Sequence, residues 1–321
     1  MTGYDRSYQA LFQPGRGPDS FRFGADRRPA LKPGSAAFSH SNAWWLAECC
    51  RLMYRIDDQI KRRNQIGSDV KEILAETGIT IDAVFSHAET SSRALLMSVA
   101  ALTGPARRAP KLLIFCGTNE ARDWKMNMQA AQQRWGAVGR VHSGFNKSYN
   151  SLKRCLPLQL LENADLLVAG HSLGAALATL ATVDLTQRGI QVTACYSFGS
   201  PRIGNSGFTA QLPSLPVHRI VNGSDVVTGV PLTLGPVEYL HPDNGIYIDP
   251  HGEIEPGLDD REIQRRQLAF IPEWKQYVRP AALFERVRAL PVQLPRYLAD
   301  HSIGNYAYRF HQLLIQTGRS P

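Results

Sequence analysis

The sequence predicts an α/β protein with a mostly parallel central sheet flanked by helices. Three observations predict it. Short, fully apolar runs at residues 112–115 and 166–169 have the length and composition of strands buried on both faces. Such runs alternate with longer segments whose apolar residues recur at helical spacing. At one strand-to-helix junction stands a serine with glycines two residues before and two after.

Residues 1–35 are rich in Gly, Pro and Arg (Pro14, Gly15, Gly17, Pro18, Pro29, Pro33, Gly34) and lack periodicity. They read as an irregular N-terminal arm that wraps the domain or stays mobile. Residues 36–321 then form one domain. Trp44, Leu46, Cys49, Leu52, Met53 and Ile56 recur at helical spacing after a cap at Ser41 or Asn42. The basic end of that helix, Lys61, Arg62 and Arg63, is solvated. Residues 69–77 read as a second helix, stopped by Gly78. Residues 79–85 and 94–102 read as strands, 104–110 as a turn and 112–115 as a buried strand. Residues 119–140 are irregular with some helix and hold Trp124, Met126, Met128 and Trp135. A helix is expected over 146–161, a strand over 166–169, and a Leu- and Ala-rich helix over 173–188. Strands follow at 191–198 and 217–221, with a hairpin pairing 237–240 with 246–248. Residues 252–298 are charge-dense, with helical stretches near 261–268 and 281–289, and a helix over 306–317 closes the chain.

The chain has 321 residues, 43% hydrophobic and 20% charged, so its core needs no covalent staples. That excludes a disordered tail, a collagen-like chain and a disulfide miniprotein. No run approaches the roughly eighteen apolar residues of a membrane span. Lys and Arg number 36 against 28 Asp and Glu, a formal charge of +8. This excess favours anionic surfaces. Nucleic acid is not expected as a partner, because there is no helix-turn-helix signature, zinc-finger spacing or basic stripe interleaved with aromatics. The five cysteines (Cys49, Cys50, Cys116, Cys155, Cys195) have no disulfide or metal spacing and lean toward a reducing compartment. Near the start, Asp5 and Arg6 are followed by no apolar signal-peptide core, so a cytoplasmic location is favoured.

Gly170-His171-Ser172-Leu173-Gly174 has the pattern G-x-S-x-G, with an apolar strand before it and a helix after it. A serine on so sharp a turn has unusual backbone angles, and a Cβ two residues to either side would clash. The turn holds Oγ clear of the sheet, and the helix N-terminus directs partial positive charge at a developing anion. Ser172 is therefore the candidate nucleophile. A serine nucleophile needs a base, and the base an orienting acid, in the chain order Ser, acid, His. Asp225 follows the strand at 217–221 in Asn222-Gly223-Ser224-Asp225; Asp243, Asp249 and Asp260 are rivals. The base is expected in a late loop. His301 fits, with His241 and His251 as alternatives. His311 lies within a helix, His171 points away from Oγ, and His142 and His218 read as core or strand-end residues. An oxyanion hole calls for the backbone N–H of Leu173 and a donor after the strand at 112–115, where Gly117-Thr118 offers Thr118.

Together these residues resemble the class 3 lipases, the fungal-lipase-like branch of the α/β-hydrolase fold. The elbow with Gly174-Ala175-Ala176-Leu177-Ala178 carries the resemblance most specifically. Phe115-Cys116-Gly117-Thr118 with Asp123-Trp124 is similar to the family's oxyanion segment, although the family usually has Arg where this chain has Cys116. Val141-His142-Ser143-Gly144-Phe145, Ser197-Phe198-Gly199-Ser200-Pro201-Arg202-Ile203-Gly204-Asn205, Arg219-Ile220-Val221-Asn222 and Asp300-His301 with Tyr306 also resemble family segments.

The resemblance implies a triad of Ser172, Asp225 and His301, with Thr118 and Leu173 as oxyanion donors and no metal or organic cofactor. It implies carboxylic-ester hydrolysis, with triacylglycerol as the leading substrate and contact with a lipid–water interface. A non-lipid aryl or feruloyl esterase and a phospholipase A1 use the same scaffold, and an idle lipid-binding module is the distant alternative. The segment from Thr118 to His142 is expected to gate the serine, with 252–298 as the other candidate cover. The resemblance leaves residues 1–35 and 252–298 unexplained.

Overall fold

The computed structural model describes residues 3–16, 21, 28–100, 108–117, 131–137, 139–233, 235–269 and 293–317. In chain order the helices are α1 (Tyr8–Phe12), α2 (His40–Arg63), α3 (Ser68–Thr77), α4 (Ser143–Lys153), α5 (Leu158–Leu161), α6 (Leu173–Gln187), α7 (Ser206–Thr209), α8 (Asp260–Ala269), α9 (Arg296–Ala299) and α10 (Ile303–Thr317). The strands are β1 (Ile79–His87), β2 (Ser92–Val99), β3 (Ala109–Phe115), β4 (Gln132–Trp135), β5 (Gly139–His142), β6 (Ala164–His171), β7 (Val192–Phe198), β8 (Val217–Asn222), β9 (Gly245–Ile248) and β10 (Ile254–Leu258).

Eight strands form one sheet in the order β1-β2-β3-β6-β7-β8-β9-β10. β3, β6, β7, β8 and β9 are parallel neighbours; β1, β2 and β10 add antiparallel edges. The central strands are apolar on both sides because helices cover both faces. On one face α2 and α10 pack with Leu112, Ala169, Tyr196 and Ile220; on the other, α4 and α6 pack with Leu113, Val168 and Cys195. The register sets the ends of the strands level: Phe115 faces Gly170, His171 faces Phe198, and Phe198 faces Ile220. The loops that leave these carboxyl ends are thereby gathered in one place, the usual position of a site in an open α/β sheet.

Every residue from 41 to 54 of α2 is buried. A helix buried all round needs cover on its outer side, and the N-terminal arm supplies it. Trp45 donates its indole N–H to the Pro29 carbonyl at 2.7 Å, Arg51 Nε donates to Pro14 at 2.9 Å, and the Phe21 N–H reaches Glu48 at 3.2 Å. The arm is not irregular throughout: residues 8–12 form α1, capped by Ser7 Oγ accepting from the Ala10 N–H at 3.0 Å.

The cap of α2 is Ser39, whose Oγ accepts from the Asn42 N–H at 3.5 Å, not Ser41 or Asn42, and the described residues depart from the sequence reading in three other places that bear on the fold. Ile246 and its neighbours pair antiparallel with β10, not with residues 237–240. The turn between them is made by Asp249, whose Oδ1 accepts from the N–H groups of His251, Gly252 and Glu253, with Gly252 at φ +100°. Leu240 instead bridges to Gly204. The helix expected over 146–161 is two helices, starting at 143 and interrupted before Pro157, whose ring disfavours helical geometry in the preceding residue. Finally, Trp135 belongs to a two-stranded ribbon of β4 and β5, only 9% exposed and packed against Tyr149 and Phe208. It is a fixed anchor, not part of an adaptable cover. Residues 118–130 and 270–292, which fall within the two expected covers, lie outside the described residues.

Four histidines are held low on the proton scale, chiefly by burial. The effect is largest at His171 and at His241, where the Arg219 and Arg202 guanidinium groups add to it; His40 and His218 move the same way. Unfolded, each binds a proton as pH falls through its ordinary value of 6.5, whereas the folded chain does not. Their contribution to stability is complete above about pH 6.5 and is lost progressively below it. Tm is therefore expected to be lower at about pH 5 than at about pH 7.5, with a shallower slope in His241→Gln, because one proton-uptake site is gone. A Tm independent of pH across that window would contradict the buried neutral histidines.

Candidate active site

Ser172 joins β6 to α6 with φ +59° and ψ −126°, a backbone conformation that L residues rarely adopt. Both flanking glycines are required by backbone contact. A Cβ on Gly170 would lie 2.0 Å from the Gly174 carbonyl oxygen, and a Cβ on Gly174 would lie 2.3 Å from that of Phe115. The turn is fixed from the next strand, since the Ser172 N–H donates to the Phe198 carbonyl at 3.0 Å. The Ser172 carbonyl accepts from Ala175 at 3.0 Å and Ala176 at 3.3 Å, which starts α6. The Leu173 and Gly174 N–H groups that open the helix have no acceptor one turn earlier within it and point back toward the serine end.

Asp225 and His301 lie in separate loops 76 residues apart in sequence, yet touch. Both carboxylate oxygens of Asp225 are 2.9 Å from His301 Nδ1. A carboxylate only accepts, so Nδ1 carries the proton and the imidazole's lone pair is on Nε2. Two further donors hold Asp225: Tyr306 Oη at 2.6 Å and the Val227 N–H at 3.0 Å. Tyr306 Oη also accepts from the Asn222 N–H at 3.1 Å. Burial, then the Asp225 charge, push the Tyr306 hydroxyl well above its ordinary range, so it stays a donor. The pair is enclosed, with Asp225 and His301 at 0% and 1% exposure. Gly199, at φ +57°, makes room for it. A Cβ there would stand 2.7 Å from Asp225 Oδ2 and 3.2 Å from His301 Nδ1.

His171 links the serine turn to the histidine loop. Its Nε2 is 2.6 Å from the His301 carbonyl, which can only accept, so Nε2 bears the hydrogen. Nδ1 then accepts from Tyr54 Oη, 2.7 Å away on α2. Burial keeps this imidazole neutral, consistent with one acceptor and one donor nitrogen.

The other candidates named from sequence are held elsewhere. Asp243 and His251 are exposed, and Asp249 caps its own turn. Asp260 lies 3.5 Å from Arg202 and 3.6 Å from Arg219. His241 Nε2 is bound to the Thr228 carbonyl at 2.8 Å and His218 Nε2 to that of Ala36 at 3.0 Å. His142 caps α4 by accepting from the Gly144 and Phe145 N–H groups, and His311 lies within α10. Thr118 lies outside the described residues. Sequence reasoning did not single out Tyr54 or the role of Gly199. Nothing local to either residue points to partners more than a hundred and about two dozen residues away, respectively.

Residues 112–235 match the family model for class 3 lipases. A lipase from Rhizomucor miehei is 30% identical over 133 residues, which are 37% of each chain. The chloroplastic phospholipase A(1) DAD1 of Arabidopsis thaliana is 33% identical over 152 residues, covering 39% of this chain and 34% of that one. The secreted mono- and diacylglycerol lipase A of Penicillium cyclopium is 28% identical over 165 residues, 49% of this chain and 52% of the relative. The chain thus spans between about a third and a half of the length of these relatives. Among solved structures, the lipase of Rhizopus microsporus var. chinensis superposes with a TM-score of 0.55 at 21% identity, over 75% of this chain and 88% of that one. Rhizomucor miehei triacylglyceride lipase does so with a TM-score of 0.54 at 20% identity, over 74% and 92%. The fold, the matched segment and the elbow within it agree: residues 112–235 carry the likeness to the class 3 lipases, and the chain has the α/β-hydrolase fold of the fungal lipases on which it superposes.

Proposed function

We propose that this chain is a lipase, a serine hydrolase that cleaves the carboxylic esters of triacylglycerols through an acyl-enzyme on Ser172. One observation carries the reading: a serine on a left-handed strand-to-helix turn stands at the same sheet end as a buried, hydrogen-bonded Asp225–His301 pair. In this reading Ser172 Oγ attacks the ester carbonyl carbon while His301 Nε2 takes its proton. The carbonyl π pair moves onto oxygen, where the N–H groups of Leu173 and Thr118 bind it. Collapse expels the alcohol, which receives the proton from His301. Water then adds to the acyl-enzyme by the same route in reverse, releasing the fatty acid and restoring Ser172. Asp225 holds the imidazole tautomer and stabilises the imidazolium, and Tyr306 keeps that carboxylate in place. Contact with a lipid–water interface during turnover is part of the same proposal.

A phospholipase A1 activity is the second reading. It is favoured by similarity to the Arabidopsis phospholipase and to the phospholipase A1-II 4 of Oryza sativa, 39% identical over 90 residues.

Ser172→Ala is expected to fold normally and lose at least about 10⁴-fold in kcat on a nitrophenyl ester, since no other group forms the acyl-enzyme. Asp225→Asn is expected to lose on the order of 10³–10⁴-fold, while Asp243→Asn stays within about twofold. The reverse ordering would move the acid to residue 243.

Substrate class is read from a panel of trioctanoylglycerol emulsion, phosphatidylcholine vesicles and a short nitrophenyl ester, followed through the solubility limit. The emulsion is expected to be the best substrate, with a rise in rate where the interface forms. Faster release of the sn-1 acyl chain from the vesicles would favour the phospholipase, and preference for the dissolved ester would favour a non-lipid esterase.

A further inference from the structure

The loop that carries His301 is tied to the N-terminal arm on both sides of the histidine. Upstream, Leu294 and Arg6 exchange two bonds: the Leu294 N–H donates to the Arg6 carbonyl at 2.7 Å, and Arg6 Nε donates to the Leu294 carbonyl at 2.8 Å. Immediately before the histidine, Asp300 Oδ1 accepts from the Tyr4 hydroxyl. Immediately after it, Ser302 Oγ donates to the Ala10 carbonyl. One turn further, Asn305 accepts from the Asp5 N–H at 2.8 Å and donates to the Asp5 carbonyl at 2.7 Å. Leu11 and Phe12 of α1 pack with Tyr297, Leu298 and Ala299 of this loop and with Val227 beside the acid.

Asp300 is where these ties meet the acid loop. Its side chain is wholly buried. Oδ2 accepts from the Ser224 N–H at 2.7 Å, one residue before Asp225, and its carbonyl accepts from Asn222 Nδ2 at 2.9 Å. Gly223, at φ +48°, lets the carboxylate come this close, since a Cβ there would lie 2.6 Å from Oδ2. A second buried carboxylate so near Asp225 is costly unless donors surround it. Burial pushes the Asp300 carboxyl up; the Tyr4 hydroxyl, the Ser224 N–H and the Arg296 guanidinium at 3.8 Å oppose that. The Tyr4 ring is itself held by the Arg309 guanidinium, 5.2 Å from its centroid.

We propose that Tyr4 is a positioning residue for the base: reaching from the arm to Asp300, it fixes the turn that sets His301 against Asp225 and Ser172. The inference rests on the serine-hydrolase reading above. Removing the Tyr4 hydroxyl leaves one oxygen of a buried carboxylate short of a donor. Asp300 then relaxes, and the next residue in the chain is His301. A shift of a few tenths of an ångström there changes the alignment of proton transfer without touching the substrate's binding surface.

The test compares the full chain with Tyr4→Phe, Tyr8→Phe, Asp300→Asn and the Tyr4→Phe/Asp300→Asn double variant on nitrophenyl butyrate, with Ser172→Ala as reference. Tyr4→Phe keeps the ring and its packing and is expected to lower kcat about tenfold, with KM within about twofold and Tm close to wild type. Tyr8→Phe removes a hydroxyl from the neighbouring helix and is expected to be normal. Because Tyr4 acts through Asp300, the double variant is expected to have the kcat of Asp300→Asn alone. Unchanged kcat in Tyr4→Phe, a loss that follows a fall in Tm, or additive effects in the double variant would each overturn the proposal. If Ser172→Ala retains activity, the hydrolase reading itself fails. If Ser172→Ala is inactive and Tyr4→Phe is normal, only the role of Tyr4 falls.

Discussion

The turn at Ser172 exists because no Cβ stands at position 170 or 174. Gly170 lets the end of β6 lie against the start of α6, and Gly174 lets α6 lie against the carbonyl of Phe115 at the end of β3. Two backbone contacts too short for any side chain therefore set the one backbone conformation that puts a serine at the rim of the sheet. Holding a residue in such a conformation costs about 1–3 kcal/mol, and it persists only where packing leaves no alternative. Here the packing is that of α6, buried along residues 174–185 between the sheet and its neighbours. A helix buried along most of its length thus holds the strained residue.

Electrostatics impose a second constraint. The site collects buried polar groups that would each be costly alone: two carboxylates, two imidazoles and two phenols. They are tolerated because they satisfy one another. Tyr306 donates to Asp225, His301 donates to the same carboxylate, His171 donates to the His301 carbonyl, and Tyr54 donates to His171. Each tautomer follows from its neighbour, so the network leaves the lone pair of His301 on Nε2. The same accounting extends outward through Asp300 to Tyr4. The arm and α10 thus share with the sheet the task of keeping the histidine loop in register.

Much of this was legible in the sequence where the cause is local. Apolar runs marked β3 and β6, and the spacing of Gly170, Ser172 and Gly174 marked the turn, because sterics at a tight turn act over a few residues. Chain order narrowed the acid and base to a few candidates, among which Asp225 and His301 are the pair in contact. What was not legible depends on contacts across the fold. Nothing near Tyr54 signals a bond to His171, and nothing in a Gly- and Pro-rich arm signals that Tyr4 meets a residue 296 positions away. The hairpin was misread for another reason. The aromatic and branched residues near 237–240 suggested a strand, while the turn chemistry of Asp249 to Gly252 places the partner on the other side of β9. Trp135 suggested an adaptable surface by composition alone, and the ribbon that buries it depends on pairing with β5.

The central claim is that Ser172 is the residue that becomes covalently attached to the acyl group. Its most direct measurement is trapping with a nitrophenyl alkylphosphonate. Attack on phosphorus forms an Oγ–P bond, expels nitrophenolate, and leaves an adduct that does not turn over. The account predicts one nitrophenolate released per chain, and a single modified peptide whose added mass maps to Ser172 by fragmentation. A label on any other residue, or no label on a chain that still hydrolyses esters, would contradict it.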